Sequence, residues 1–250
     1  MLARMTGLPS GPVDLWDRVR NRIELIGTQS DPPAPASNPR PLATVLREAG
    51  DALGHDLARL TEDSELEDLR RATRAAAPFE KVYDASDALA QLCYVLCSAL
   101  APNAAVETGV ANGVTSAHLL AGLGANGRLY SIDWSPGGSR RRRPIGSLVP
   151  QALRGAWQLE IGPSRRLLPR IGRRVAPIGV FVHDSLHTYR TMRTELEVVT
   201  PYMDRPGAIL VDDVSLNAAF SDWSNATRPD YVALVATELE DHPIGVALLL

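Results

Sequence analysis

Acidic side chains close two apolar runs in the second half of this 250-residue chain. Asp184 directly follows the run Gly179–His183, and Asp212 and Asp213 lie near the end of the run Ala208–Val214. If both runs are parallel strands, their carboxyl ends meet at one sheet edge, where three carboxylates repel one another. A hard divalent cation with oxygen ligands, such as Mg²⁺, would relieve that repulsion. The pattern therefore predicts a metal site formed by Asp184, Asp212 and Asp213.

A histidine near Asp184 adds a group that titrates close to neutral pH. The cation would orient an acceptor hydroxyl and lower its pKa, and His187 would take the proton as a general base. His183 directly precedes Asp184, so we expect it on the other face of the strand, in a structural role. The alternative is that the Asp pair only caps a helix or starts a loop, and that His187 is a surface residue.

The first apolar run ends in a glycine-containing loop, Glu107–Gly113, which precedes a predicted helix. Glycines let the backbone turn sharply and approach a ligand closely. The loop lacks the phosphate-binding pattern G-x-G-x-x-G, because Ala111 stands between Gly109 and Gly113. Its acid, Glu107, would repel a pyrophosphate and suits a cationic cofactor such as S-adenosylmethionine. The predicted cofactor-binding residues of this loop are Glu107, Gly109, Ala111, Asn112 and Gly113.

The second apolar run ends in an acid, Asp133, which is followed by Trp134. An acid at this position accepts hydrogen bonds from ribose hydroxyls, and Trp134 would pack on an adenine ring. We therefore expect both residues to bind the cofactor, together with Asp184. A structural turn with a surface Asp is the alternative interpretation.

Short apolar runs alternate with helical stretches from Pro102 onward. Such alternation predicts parallel strands, whereas the short turn between the last two runs predicts an antiparallel pair. The expected fold is α/β, a Rossmann-like seven-stranded and mostly parallel sheet with an antiparallel last strand, preceded by an N-terminal helical extension. The runs are Ala104–Val110, Arg128–Trp134, Trp157–Ile161, Gly179–His183, Ala208–Val214, Tyr231–Leu239 and Ile244–Leu250.

Three segments are expected along the chain. Residues 1–41 hold a helix and a proline-rich linker, since proline is excluded from helix interiors and central strands. Residues 42–100 form a helical cap, and residues 101–250 form the Rossmann-like domain. The predicted helices before the domain cover 13–27, 42–61, 64–76 and 82–100.

Composition excludes some classes of protein. A formal net charge of −3 argues against a general nucleic-acid binder. Cys93 and Cys97 lie four residues apart in an apolar stretch, which favours buried thiols over a disulfide. No signal peptide or membrane span is predicted, so a cytoplasmic location is expected. The arginine run Arg140–Arg143 is either a solvated loop or a flap over an anionic substrate.

From about Lys81 to Leu250 the chain resembles the class I S-adenosylmethionine-dependent methyltransferases. Within them it is most similar to the family-24 group, which is related to macrolide-sugar O-methyltransferases of the macrocin and mycinamicin type. In those enzymes an Asp-x-x-His segment and a later Asp-Asp pair carry Mg²⁺ and the base, which 184–187 and 212–213 match here. A Gly-x-Ser turn ending in Ser164 resembles the motif that borders adenine in the family.

The resemblance implies an S-adenosylmethionine-dependent O-methyltransferase, Mg²⁺-dependent, that methylates a hydroxyl of a small molecule, with sugars and natural products as candidate acceptors. The N-terminal helices would serve as a lid or as the contact surface of a homo-oligomer. Three alternatives are a metal-independent N- or O-methyltransferase, an NAD-dependent oxidoreductase, and a non-catalytic protein that binds S-adenosylmethionine. The missing G-x-G-x-x-G argues against the oxidoreductase.

Overall fold

A seven-stranded sheet lies at the centre of the computed structural model, which describes residues 27–76, 85–134, 144–238 and 241–250. The strand order is β3-β2-β1-β4-β5-β7-β6. Neighbouring strands from β3 to β5 are parallel, and β7 runs antiparallel to both β5 and β6. The predicted fold class is confirmed, including the antiparallel last strand. The strands are β1 (Ala104–Thr108), β2 (Arg128–Asp133), β3 (Trp157–Ile161), β4 (Ile178–His183), β5 (Met203–Val211), β6 (Tyr231–Val235) and β7 (Ile244–Leu249).

The α-helices cover both faces of this sheet. At several helix starts a side chain accepts a hydrogen bond from the first turn, as Ser86 does from N of Leu89 and Thr188 from N of Thr191. The helices are α1 (Leu42–Leu53), α2 (Leu57–Leu60), α3 (Ser64–Ala76), α4 (Asp87–Leu100), α5 (Val114–Gly122), α6 (Ser164–Val175), α7 (Tyr189–Val199) and α8 (Ala219–Thr227).

One predicted helix, 42–61, is interrupted in the structure. Gly54 ends α1 with a φ of 72°, a left-handed conformation that favours glycine. Asp56 then begins α2, because its side chain accepts a hydrogen bond from N of Arg59. The apolar periodicity continues across this break, which is why periodicity alone predicts a single helix.

Successive side chains of the central strands point to opposite faces of the sheet and pack into two separate hydrophobic cores. In β5, Ala208 and Leu210 face the core formed with α1, α4 and α5, and Ile209 and Val211 face the core formed with α6, α7 and α8. This two-sided burial is typical of parallel sheets and explains the continuous apolar runs. Cys93 and Cys97 lie in the first core, fully buried and free, as predicted.

Some predictions lie outside the described residues. These are the arginine run Arg140–Arg143 and, apart from Gly27, the helix over 13–27. Across the described ranges, no helix combines the length and the apolar character needed to cross a membrane.

The proline-rich segment, residues 30–41, is hydrogen-bonded to the domain near both of its ends. N of Arg40 donates to O of Leu234 over 2.8 Å, which adds a bridge at the edge strand β6. At the other end, Oδ2 of Asp31 accepts from N of Tyr189 over 2.9 Å. Composition predicts a linker here, and in the structure these hydrogen bonds attach the segment to the sheet domain.

Candidate active site

The carboxyl ends of β1, β4 and β5 lie side by side, and backbone pairing continues past the strand ends. N of Asp184 donates to O of Thr108 over 2.8 Å, and N of Asp212 donates to O of His183 over 2.9 Å. The first bond fixes the start of the loop after β4 against the end of β1, and the second fixes the start of the loop after β5 against the end of β4. The structure therefore brings Asp184 and Asp212 to one edge of the sheet.

Asp184, His187 and Asp212 form a cluster in which each residue offers a ligand atom within 4.8 Å of the others. Nε2 of His187 lies 3.7 Å from Oδ1 of Asp184. This nitrogen is buried and has no hydrogen-bond partner among the described residues. Because an unpaired buried polar atom is costly, its position marks a place for a proton donor or a cation.

Asp213 faces two imidazoles. Its Oδ2 lies 3.1 Å from Nδ1 of His187, and its Oδ1 lies 2.7 Å from Nδ1 of His242. Its backbone has a φ of 54°, which is rare for a residue with a side chain and turns the carboxylate toward the rings. His187 thus occupies the third place in the cluster, and metal ligation by Asp213 stays a prediction.

Burial and mutual repulsion shift the pKa values of the three carboxyl groups, Asp184, Asp212 and Asp213. Burial, followed by the charge of Asp212, raises the pKa of Asp184 well above its ordinary value. Burial and the charge of Asp213 raise the pKa of Asp212 to about 6. Burial also acts to raise the pKa of Asp213, but hydrogen bonds from His187 and His242 outweigh it and hold that pKa below its usual range. At Asp184 and Asp212, burial and the repulsion between carboxylates therefore outweigh the favourable charges nearby, and a divalent cation fits this donor set.

The pKa of His187 is raised. Burial acts to lower it, because a buried imidazolium loses hydration. The hydrogen bond to Asp213 and the charges of Asp213 and Asp212 favour the imidazolium more strongly, so the pKa lies above its ordinary value. The ring is therefore a stronger proton acceptor than a free imidazole.

The loop after β1 packs directly on this cluster. Gly109 has a φ of 85°, and a Cβ at this position would lie 1.7 Å from the backbone O of Asp184. Only glycine allows that approach. Oδ2 of Asp133 accepts hydrogen bonds from N of Val110 and N of Ala111, each over 3.0 Å. The predicted cofactor loop, the acid at the end of β2 and the cluster of Asp184, His187 and Asp212 are thus contiguous.

A second segment, residues 146–149, packs against the C-terminal half of the Glu107–Gly113 loop. N of Gly146 donates to O of Ala111 over 3.0 Å, and N of Leu148 donates to O of Asn112 over 2.8 Å. Gly113 has a φ of 93°, and a Cβ there would lie 2.8 Å from a side-chain carbon of Val149. Asn112 and Gly113 are therefore held from behind by residues well removed along the chain.

Residues 106–214 match the family model described as a methyltransferase domain. Residues 106–214 therefore resemble a methyltransferase domain of the family-24 type. The chain is an S-adenosylmethionine-dependent methyltransferase. No curated protein matches it.

Solved methyltransferases share the fold at low sequence identity. One is an O-methyltransferase from Bacillus cereus in complex with S-adenosylhomocysteine, with 15% identity over 82% of this chain and 97% of that chain and a TM-score of 0.56. Another is TomG from Streptomyces achromogenes, an O-methyltransferase involved in tomaymycin synthesis and bound to S-adenosylmethionine, with 17% identity, coverage of 75% and 91%, and a TM-score of 0.58. A third is the Podospora anserina methyltransferase PaMTH1, with 11% identity, coverage of 98% and 99%, and a TM-score of 0.51.

Glu107 of the methyltransferase lies in β1, at the start of the predicted cofactor loop, and is fully buried. Its carboxylate accepts hydrogen bonds from the hydroxyls of Thr115, Ser116 and Ser131 over 2.5, 2.6 and 2.6 Å. Burial raises its pKa to about 7, although these hydroxyls favour the charged form. This geometry ties β1 to α5 and β2, and a contact between Glu107 and the cofactor stays a prediction.

Two further predicted cofactor residues lie at the same edge of the methyltransferase. Trp134 directly follows β2 and is partly exposed. Ser164 is the first residue of α6, and its side chain hydrogen-bonds to Glu195. Their contacts with a cofactor also stay predictions.

Glu195 of α7 is a residue of the methyltransferase site that the sequence patterns did not single out. It is 1% exposed, and its Oε2 lies 2.5 Å from the hydroxyl of Thr108 and 2.7 Å from Nδ1 of His183. Its Oε1 accepts from the hydroxyl of Ser185 over 2.9 Å. Glu195 thereby fastens the ends of β1 and β4 and the loop that carries Asp184. A Glu on the buried face of an amphipathic helix was the available signal.

His242 of the methyltransferase was also missed. It lies just before β7, within the turn that the sequence predicts only as a connection between the last two strands. No local pattern pairs it with Asp213, because 29 residues separate them.

Proposed function

We propose that this methyltransferase transfers the methyl group of S-adenosylmethionine to a hydroxyl oxygen of a small molecule. One observation carries the proposal. Nδ1 of His187 is held by Asp213, and the buried Nε2 of the same ring is unpaired and faces the Asp184 and Asp212 pair. This is the arrangement of a general base whose second ring nitrogen is fixed by a carboxylate.

Asp213 decides which ring nitrogen reacts. Because its carboxylate accepts the proton on Nδ1, the neutral ring of His187 presents a lone pair at Nε2. That nitrogen takes the proton lost by the acceptor hydroxyl as the oxygen bonds to the methyl carbon. The carbon–sulfur bond breaks with its electron pair moving to sulfur, so the products are the methyl ether and S-adenosylhomocysteine.

Asp184 and Asp212 are the proposed carboxylate ligands of a divalent cation. Their raised pKa values, together with the unpaired nitrogen beside them, support this assignment. When bound, the cation would lower the pKa of the acceptor hydroxyl and supply an anchoring point for it. Magnesium is the expected metal, because hard carboxylate oxygens dominate the donor set.

The proposed cofactor site is the edge formed by the Glu107–Gly113 loop, Asp133, Trp134, Ser164 and Asp184. Asp133 supports it best, since its carboxylate sits at the loop and is mostly buried. Trp134 would pack on the adenine ring. Sugars and other natural products remain the proposed acceptors.

A metal-independent transfer is the second candidate, because the pair of His187 and Asp213 needs no cation to accept a proton. The test compares methyl transfer from radiolabelled S-adenosylmethionine to a panel of sugar and phenol hydroxyls, before and after dialysis against EDTA. Loss of transfer with EDTA and recovery with Mg²⁺ supports the metal-dependent route. Undiminished transfer after EDTA would leave only the metal-independent one, and no transfer to any hydroxyl would reject the O-methyl assignment.

A further inference from the structure

The loop that carries His187 is bound from outside by the proline-rich segment. Oδ2 of Asp31 accepts from N of Tyr189, the first residue of α7, over 2.9 Å. His187 lies two residues before Tyr189. Asp31 therefore holds the junction between the catalytic loop and the helix that follows it.

The neighbouring residue of the same segment binds the loop after β5. O of Pro32 accepts from N of Ala218 over 2.8 Å, immediately before α8 begins. Two consecutive residues thus contact both loops of the acidic cluster, one through a side chain and one through the backbone.

Asn217 joins the two loops from within. It is 1% exposed, its Nδ2 donates to O of His187 over 3.3 Å, and its Oδ1 accepts from N of Ala219 over 3.0 Å. The position of His187 is therefore coupled to the start of α8, which Pro32 also contacts.

The proline-rich segment is stiff, so its anchored end at Arg40 restricts the position of its other end, at Asp31. Four prolines lie between Asp31 and Arg40, and each removes backbone freedom. Arg40 anchors the far end on β6 through two backbone hydrogen bonds, from its N to O of Leu234 and from N of Ala236 to its O. A stiff span fixed at both ends resists displacement of the end near His187.

We propose that Asp31 and Pro32 form a clasp that fixes the loops after β4 and β5 relative to each other. In this clasp, Asp31 is a positioning residue for His187 and for the proposed metal ligands beside it. The role of Asp31 in catalysis rests on the proposed function, in which His187 is the general base. The clasp extends that function to a segment whose composition indicates only a linker.

Three variants test the clasp. Asp31→Ala removes the acceptor, and Asp31→Asn keeps an acceptor oxygen at the same place. Asp56→Ala is the matched control, because Asp56 also accepts from a helix N-terminal amide but lies at α2. Hydrogen exchange is followed in peptides covering 185–191 and 214–222, with β1 amides as the reference for global unfolding. Mn²⁺ binding is titrated by electron paramagnetic resonance in the presence of S-adenosylhomocysteine.

Asp31→Ala should speed exchange in both peptides and weaken Mn²⁺ binding, each by roughly fivefold, the factor expected for loss of one capping acceptor. Asp31→Asn should behave like the unaltered enzyme, and Asp56→Ala should change only the amides of α2. The clasp is rejected if Asp31→Ala affects the 185–191 peptide alone, or if Asp31→Asn matches Asp31→Ala. If the unaltered enzyme binds no Mn²⁺, the proposed metal site fails, and the 214–222 peptide still decides the clasp.

Discussion

Asp213 binds Nδ1 of His187 across 3.1 Å from a backbone position that few residues with a side chain adopt, at a φ of 54°. This left-handed backbone conformation accompanies a carboxylate that lies against the imidazole of His187. Two adjacent acids thereby acquire different tasks: Asp212 joins the cluster of ligand atoms, and Asp213 orients the base. Strain of this kind is typical of functional sites.

Asp213→Asn should lower methyl transfer by roughly 10²–10⁴-fold, the range of a general-base contribution. Asparagine tolerates a positive φ, so the fold should persist while the charge that holds the Nδ1 proton is lost. Turnover and thermal unfolding are measured together, with Asp230→Asn as the control at the surface. A variant that keeps full turnover would remove Asp213 from the mechanism.

The imidazole of His187 should titrate above its ordinary pKa of 6.5 in the metal-free enzyme, because Asp213 and Asp212 favour its protonated form. Nuclear magnetic resonance of the histidine ring protons gives the midpoint, and His187→Gln assigns the signal. Added Mg²⁺ should lower the midpoint, since a nearby cation disfavours the imidazolium. Transfer that relies on this base should decline as the pH falls through the measured value. A midpoint below 6.5 without metal would contradict the proposed geometry.

Asp212→Asn should weaken Mn²⁺ binding by at least about tenfold, the lower end of what changes around a metal site cost. S-adenosylhomocysteine affinity should change little, because the predicted cofactor contacts lie on other residues. Calorimetry measures both ligands on the same preparation. Equal loss of both would indicate a general collapse of the edge, whereas unchanged Mn²⁺ binding would exclude Asp212 as a ligand.

Glu107 should make folding stability depend on pH. Its pKa is 4.5 for an exposed Glu and about 7 in the folded protein, so the folded state holds the proton more tightly. Its contribution to stability therefore falls as the pH rises from about 4.5 through about 7, by at most about 3 kcal/mol. Urea unfolding of the enzyme and of Glu107→Gln at several pH values measures how much of the pH dependence of the free energy of unfolding comes from Glu107. Parallel curves for the two proteins would show that Glu107 contributes none of the pH dependence.

Gly109→Ala should destabilise the protein far more than Gly54→Ala. Both glycines have a positive φ, 85° and 72°, so each substitution carries about 1–2 kcal/mol of backbone strain. Only at Gly109 would the added Cβ also meet the backbone O of Asp184, at 1.7 Å; nothing lies within 4 Å of it at Gly54. Denaturant unfolding of the two variants measures the difference. Equal losses would mean that the loop can move away from Asp184 at no cost.

The chain alone determined the sheet and the edge on which the site lies. Alternating apolar runs and helical stretches require parallel strands, and parallel strands bring their carboxyl ends together, so Asp133, Asp184 and Asp212 could be placed at one edge before any coordinates. The family resemblance added methyl transfer, which the match over residues 106–214 supports.

Only the tertiary structure decided which groups touch. Asp213 contacts His187 and His242 from a backbone position with a positive φ, and Glu195 meets Thr108 and His183 because α7 packs against β4. Asp31 reaches the α7 N-terminus from 158 residues away. Such contacts depend on backbone turns and on packing between distant segments, and local periodicity and spacing carry no information about either.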